Sequence, residues 1–152
     1  KHARHWKMLC TVALAATAAP IHHQQFAVVF DGGSTGTRVY VYRYALPSPG
    51  ASPALPTLYA ERGWNMKVKP GLSSFAATPE GAGAAYMRPL LDFARAIVPA
   101  EARRSAVLLL RATAGMRLVP PAAAQRIYDT LFDAVRAHGA FSPTRALFGT
   151  LS

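Results

Sequence analysis

One cysteine, Cys10, stands in the 152 residues. An intrachain disulfide is therefore excluded, and so is any zinc or iron–sulfur centre built on several thiolates. Acidic residues are also scarce: seven Asp and Glu face seventeen Lys and Arg, for a formal net charge of +10. That imbalance favours anionic partners. The basic residues are spread along the chain rather than massed in one run, so no nucleic-acid stripe is present and no nucleic-acid partner is read. Charged residues of all kinds make up only 16% against 51% hydrophobic, a balance that excludes a disordered solvating chain and supports one packed domain or lobe. No apolar run reaches the ~20 residues of a membrane-spanning helix. The nearest is Met8–Ile21, rich in Ala and preceded by the acid-free basic stretch Lys1–Lys7. A positive start, a short apolar segment and small residues at Ala16-Thr17-Ala18 fit a secretory signal peptide or signal-anchor over residues 1–24. A buried Ala-rich helix is the alternative. The targeting reading sends residues 22 onward to the lumen or the cell exterior. The product is then either membrane-anchored through residues 8–21 or secreted.

From Gln25 the pattern changes. Phe26–Phe30 is a continuous apolar run of the kind found in a buried strand. It enters Asp31-Gly32-Gly33-Ser34-Thr35-Gly36, read as a tight turn, and leaves through Thr37–Tyr44. There Val39, Val41 and Arg43 alternate with Tyr40, Tyr42 and Tyr44. Two strands about a Gly-rich bend predict a β-hairpin. Residues 45–57 form a Pro/Ser/Ala loop, and Leu58–Val68 is a third extended segment broken at Gly63. Thr78-Pro79-Glu80 opens a helix towards Ile97 that Pro89 kinks or restarts. Ser105–Leu110 is a second buried strand, followed by a loop over Arg111–Arg117. Pro120-Pro121 opens another helix that ends at Gly139. Beyond Phe141 no strong period appears. The order of elements predicts an α/β layered fold.

Two glycine-bearing loops follow the two buried strands, Asp31–Thr37 and Ala112–Arg117. Glycines let a backbone turn back until its N–H groups face an anion. Ser34, Thr35 and Thr37 add small hydroxyl donors. Asp31, at a strand end, is placed to hold a hydrated divalent cation that neutralises phosphate oxygens. The first loop lacks the Gly-Lys-Ser/Thr ending of a Walker A loop and opens a hairpin rather than a helix. Each loop alone reads more readily as an ordinary turn, and Arg38, Arg111 and Arg117 more readily as solvated or packing arginines than as phosphate partners.

Phe26–Tyr44 and Leu110–Leu118 resemble the first and second motifs of the apyrase, or nucleoside triphosphate diphosphohydrolase, family. Lys69–Ala76 and Pro89–Ala94 between them resemble that family's linking segment. The likeness spans residues 26–138, and Ala112–Arg117 is its most specific string. The resemblance implies an α/β fold, the N-terminal lobe of an actin-like (ribonuclease-H-like) architecture, here incomplete and covering residues 25–140. Residues 141–152 form an unmatched tail. The implied activity is hydrolysis of nucleoside tri- and diphosphates by metal-assisted attack of water, with Ca²⁺ or Mg²⁺ as cofactor. Asp31 would hold the metal through water. Gly33, Ser34, Thr35 and Gly36 would form the first phosphate loop. Thr113 would orient a metal-bound water, and Ala114 and Gly115 would shape the γ-phosphate pocket. Members of the family commonly carry an N-terminal signal-anchor and face the Golgi lumen or the cell exterior.

The family's third motif, with its glutamate general base, and its fourth, with a second phosphate loop, have no counterpart here. No catalytic residue is therefore assigned within this chain. The sequence reads as an N-terminal piece of an apyrase-type enzyme, with a non-catalytic fragment that binds phosphate or a partner chain as the alternative. A third reading is a basic lumenal protein whose glycine loops are only turns. An exopolyphosphatase-like phosphatase is disfavoured by Ala112–Arg117. No motif specifies an oligomeric state.

Overall fold

The computed structural model describes residues 25–47, 50 and 55–150. The leader expected over residues 1–24, with its apolar stretch, lies outside the described residues. Among those described, no helix is long and apolar enough to cross a membrane.

The elements run β1 (Gln25–Gly33), β2 (Gly36–Ala45), β3 (Thr57–Tyr59), β4 (Asn65–Val68), α1 (Ala84–Ile97), β5 (Val107–Ala112), α2 (Ala114–Arg117), α3 (Pro121–His138) and β6 (Phe148–Thr150). They form a mixed sheet in the order β3-β2-β1-β5-β6, with β4 paired to the start of β2. β1 and β2 make the predicted antiparallel hairpin, Gln25 opposite Tyr44 and Gly33 opposite Gly36. β5 runs parallel to β1, from Ala27 beside Val107 to Gly32 beside Ala112. β6 in turn runs parallel to β5.

Alternation decides the layers. Phe26, Val28 and Phe30 of β1, Val39 and Val41 of β2, and Leu108 and Leu110 of β5 are all buried on one face of the sheet. Met87, Leu90, Leu91 and Ala94 of α1 and Ile127, Leu131 and Val135 of α3 belong to the same buried cluster. Each helix repeats its apolar residues every three to four positions, so one stripe meets the sheet and the opposite stripe stays wet. The other face of the sheet, with Ala27, Val29, Tyr40, Tyr42 and Leu109, is half-buried.

Three expectations are corrected. The turn expected over Asp31–Gly36 is shorter: β1 extends through Gly33 and β2 begins at Gly36, leaving a tip of Ser34 and Thr35. The segment after the second buried strand is not an open loop. β5 continues to Ala112, and 114–117 form a helical turn. The tail beyond Phe141, which carries no sequence period, contributes β6; three residues are too few to display alternation.

The predicted helix from Thr78 divides into a 3₁₀ turn at Pro79–Ala82 and α1 proper, which runs through Pro89 without interruption. A proline there removes one bond, to the carbonyl of Ala85. Ala85 and Pro89 are both exposed, so water can serve that carbonyl. α3 ends as predicted, with Gly139 in the left-handed conformation at φ 74°.

Candidate phosphate site at the ends of β1 and β5

Because β1 and β5 are adjacent and parallel, the segments that follow them leave the same edge of the sheet. This is where a doubly connected α/β sheet ordinarily presents its ligand loops. The Thr113 N–H donates to the Gly32 carbonyl at 3.2 Å, which ties the start of the second segment to the end of the first strand. Two residues on, a methyl group at Gly115 would lie 3.3 Å from Ser73 Oγ and 3.5 Å from Ser34 Cα. Gly115 therefore brings α2 against the hairpin tip and the 3₁₀ turn Leu72–Phe75 together. Ser34, Ser73, Thr113 and Gly115 converge from three stretches of chain far apart in sequence.

Two glycines make this approach possible. A side chain at Gly71 would collide with the Ser34 carbonyl, and one at Gly36 with the Val68 carbonyl. Both obstacles are backbone and cannot rotate away. The hairpin tip is thus clasped from one side by the turn at Gly71 and from the other by β4.

Behind the tip lies a buried polar tie. Thr37, the one buried polar residue of the described core, is fully enclosed. Its Oγ1 lies 2.8 Å from the Tyr86 hydroxyl, which lies 2.6 Å from the Pro70 carbonyl. A carbonyl can only accept, so Tyr86 donates to Pro70 and receives the Thr37 hydrogen. Burial pushes the Tyr86 hydroxyl pKa up, against the opposing pull of Thr37. One phenol from α1 thereby fixes both the start of β2 and the turn before Gly71. Thr37 is consequently not a ligand-facing hydroxyl, as the sequence suggested. It shares the buried face of Val39 and Val41, and counting back by twos from Val41 would have shown this.

Asp31 is half-buried on the opposite face from Phe30 and Gly32. In register it sits between Arg38 of β2 and Arg111 of β5. The Arg38 guanidinium donates to the Tyr40 hydroxyl at 3.0 Å. At the exposed tip, Lys67 Nζ donates to Thr35 Oγ1 at 2.7 Å. Lys67 carries no sequence signal for this place, since its position depends on β4 pairing with β2 across the intervening loop. Tyr86 and Ser73 were missed for the same reason. All the residues singled out from sequence at positions 31, 33–36, 113 and 115 lie at this one edge. Arg117 lies at the end of the same helical turn and is exposed.

Asp31 is the single carboxylate on the three converging segments. No group of three or more His, Cys, Asp or Glu residues able to hold a metal occurs among the described residues. The donor set is one carboxylate with Ser, Thr and backbone oxygens. It suits a hard cation that keeps most of its own water, and does not suit a fully protein-ligated ion.

The model of the GDA1/CD39 (nucleoside phosphatase) family matches residues 18–146. A Golgi apyrase of Saccharomyces cerevisiae is 34% identical over 119 residues, covering 72% of this chain and 19% of its own length. A guanosine-diphosphatase of Schizosaccharomyces pombe is 43% identical over 108 residues, covering 71% and 18%. The human ectonucleoside triphosphate diphosphohydrolase 6 is 40% identical over 113 residues, covering 73% and 22%. The chain thus spans about a fifth of the length of these curated relatives. With a family model that matches most of its length, the chain belongs to the GDA1/CD39 (nucleoside phosphatase) family.

Proposed function

We propose that this chain is the phosphate-gripping lobe of an apyrase-type enzyme that hydrolyses nucleoside tri- and diphosphates with the help of Ca²⁺ or Mg²⁺. The observation that carries the reading is the meeting of Ser34 and Gly115 at the common edge of β1 and β5, with Asp31 on the adjoining strand. The strand order, with β1, β5 and β6 parallel and β2 antiparallel beside β1, supports one lobe of an actin-like fold that runs past residue 140 to β6. The names of the Golgi and ecto-enzyme relatives support a secretory-pathway location, anchored or secreted according to the fate of residues 1–24.

In this reading, phosphoryl transfer to water is catalysed by positioning and charge neutralisation. Backbone N–H groups and hydroxyls of Ser34 and Thr35, from Gly33 to Gly36, hold phosphate oxygens. Lys67, already bonded to Thr35, adds positive charge at the tip. Gly115, with no side chain, leaves room for the terminal phosphoryl group. Asp31 and Thr113 would hold the cation through water, and the cation would supply charge neutralisation at the phosphate oxygens. Asp31, the single carboxylate on these segments, is taken up by that role, so they supply no group to deprotonate the attacking water. That observation keeps the second reading, a phosphate-binding lobe without turnover of its own.

The test is phosphate release and ATP binding by residues 1–152, in Ca²⁺ or Mg²⁺, for the parent and for Asp31→Ala. Metal-dependent ATP binding that falls by about tenfold in Asp31→Ala supports the proposal; phosphate release then separates the two readings. Binding indifferent to both metal and Asp31 refutes it.

A further inference from the structure

At the opposite end of the sheet, where α1 and α3 finish and β5 begins, lies an open cavity of about 450 Å³. Its walls include Arg95, Arg103 and Arg104 against one carboxylate, Asp92, with His138 at the base. β5 alone separates this end from the phosphate loops by about 20 Å, at roughly 3.3 Å per strand residue. The two places therefore cannot share one small ligand.

The cluster is organised. Arg103 donates through Nε to the Val98 carbonyl and through Nη2 to the Arg95 carbonyl, both at 2.9 Å. These bonds satisfy the end of α1 and hold the guanidinium still, and its Nη1 has no partner among the described residues. Asp92 Oδ1 is shared by Arg95 at 3.1 Å and by His138 Nε2 at 3.2 Å. One carboxylate is thus divided between two partners, and Arg104, exposed beside it, has none among the described residues. His138 is mostly enclosed, with a side-chain exposure of 15%. Its Nδ1 is buried without a hydrogen-bond partner. Such an orphan is costly to keep in a folded protein.

Capping of the helix ends accounts for Arg103 and part of Arg95, since cations suit helix C-termini. It does not account for Arg104, which lines the cleft with no partner among the described residues. Guanidinium groups held in place around a concave surface are the usual recognition device for phosphate oxygens. We propose that this cleft is a second anion site, separate from the phosphate loops, which binds a phosphate group, either free or carried on a larger metabolite. Arg104 and Arg103 Nη1 supply its donors, while His138 stays engaged with Asp92.

The experiment is a titration of ¹⁵N-labelled chain with inorganic phosphate and, in a second arm, with pyrophosphate and ATP, followed by amide and arginine side-chain shifts. The expected result is saturable movement of the Arg103 and Arg104 signals, with affinity lowered by about tenfold in Arg104→Ala. Arg104 is exposed and unpartnered, so its truncation leaves the fold intact, and unchanged circular dichroism checks this. Tighter binding in the ATP arm than in the phosphate arm assigns the site to a phosphorylated metabolite, and the reverse assigns it to free phosphate. Shifts confined to residues 31–36 and 113–115, or cleft affinity unchanged in Arg104→Ala, overturn the proposal without touching the phosphate loops. Loss of shifts at those loops alone leaves the cleft standing.

Discussion

At the edge where β1 and β5 finish, the structure is made by bringing backbone against backbone. Gly71 lies against the Ser34 carbonyl, Gly36 against the Val68 carbonyl, and the Thr113 N–H bonds to the Gly32 carbonyl. At the edge where α1 and α3 finish, long side chains do the work: Arg103 reaches back to two carbonyls and Asp92 divides itself between Arg95 and His138. The first region is rigid and tolerates almost no added volume. The second is open, adaptable and electrostatic. A backbone-built site fixes where a phosphate must sit, which suits a reaction that depends on position. A side-chain-built site can hold an anion but constrains its orientation less, which suits binding without chemistry.

Substitution should expose the difference at once. Gly71→Ala forces a methyl group into backbone that cannot rotate away, and should cost about 2–4 kcal/mol of stability. Arg104→Ala, a far larger change in atoms, should stay within about 0.5 kcal/mol. Denaturant unfolding of the two variants measures both. Equal losses would erase the contrast.

Acid should give a smaller effect, felt at the side-chain-built end and along α3. The bond from His138 holds the Asp92 carboxyl below its ordinary value of 3.8. Asp129 is likewise lowered, chiefly by Arg145, whose Nη2 lies 2.6 Å from its Oδ1. A carboxyl depressed in the folded state contributes stability that is complete above its unfolded value. That contribution disappears as pH falls through the folded value. Thermal midpoints should therefore fall as pH drops below 3.8. In Asp129→Asn the fall should be shallower. An identical slope in the variant would show that the Arg145 bond contributes nothing.

The same contrast explains what could be read from the sequence. The continuous apolar run Phe26–Phe30 and the alternation in Val39–Tyr44 made the hairpin legible, and Pro121 and Gly139 marked the ends of α3, because these signals are local. The candidate site residues at 31–36 and 113–115 were visible because glycine and small hydroxyl residues after a strand have a backbone reason to be there. Thr37 was assigned the wrong way although its parity with Val39 and Val41 was available. Tyr86, Lys67 and Ser73 were invisible as site-builders, since each acts on a segment it meets only after folding. The arginine cleft was hidden for the same reason, with Arg95, Arg103 and Arg104 indistinguishable in sequence from any exposed arginine. β6 is too short to carry a period.

The central claim is that the hairpin tip and the start of α2 grip one phosphate chain. Titration of the ¹⁵N-labelled chain with ATP and Mg²⁺, read at the amides of Ser34, Thr35, Thr113 and Gly115, tests it directly. The account predicts that all four move together along one saturation curve with a common midpoint. Movement of the hairpin pair without the α2 pair, or two midpoints that differ, would contradict it.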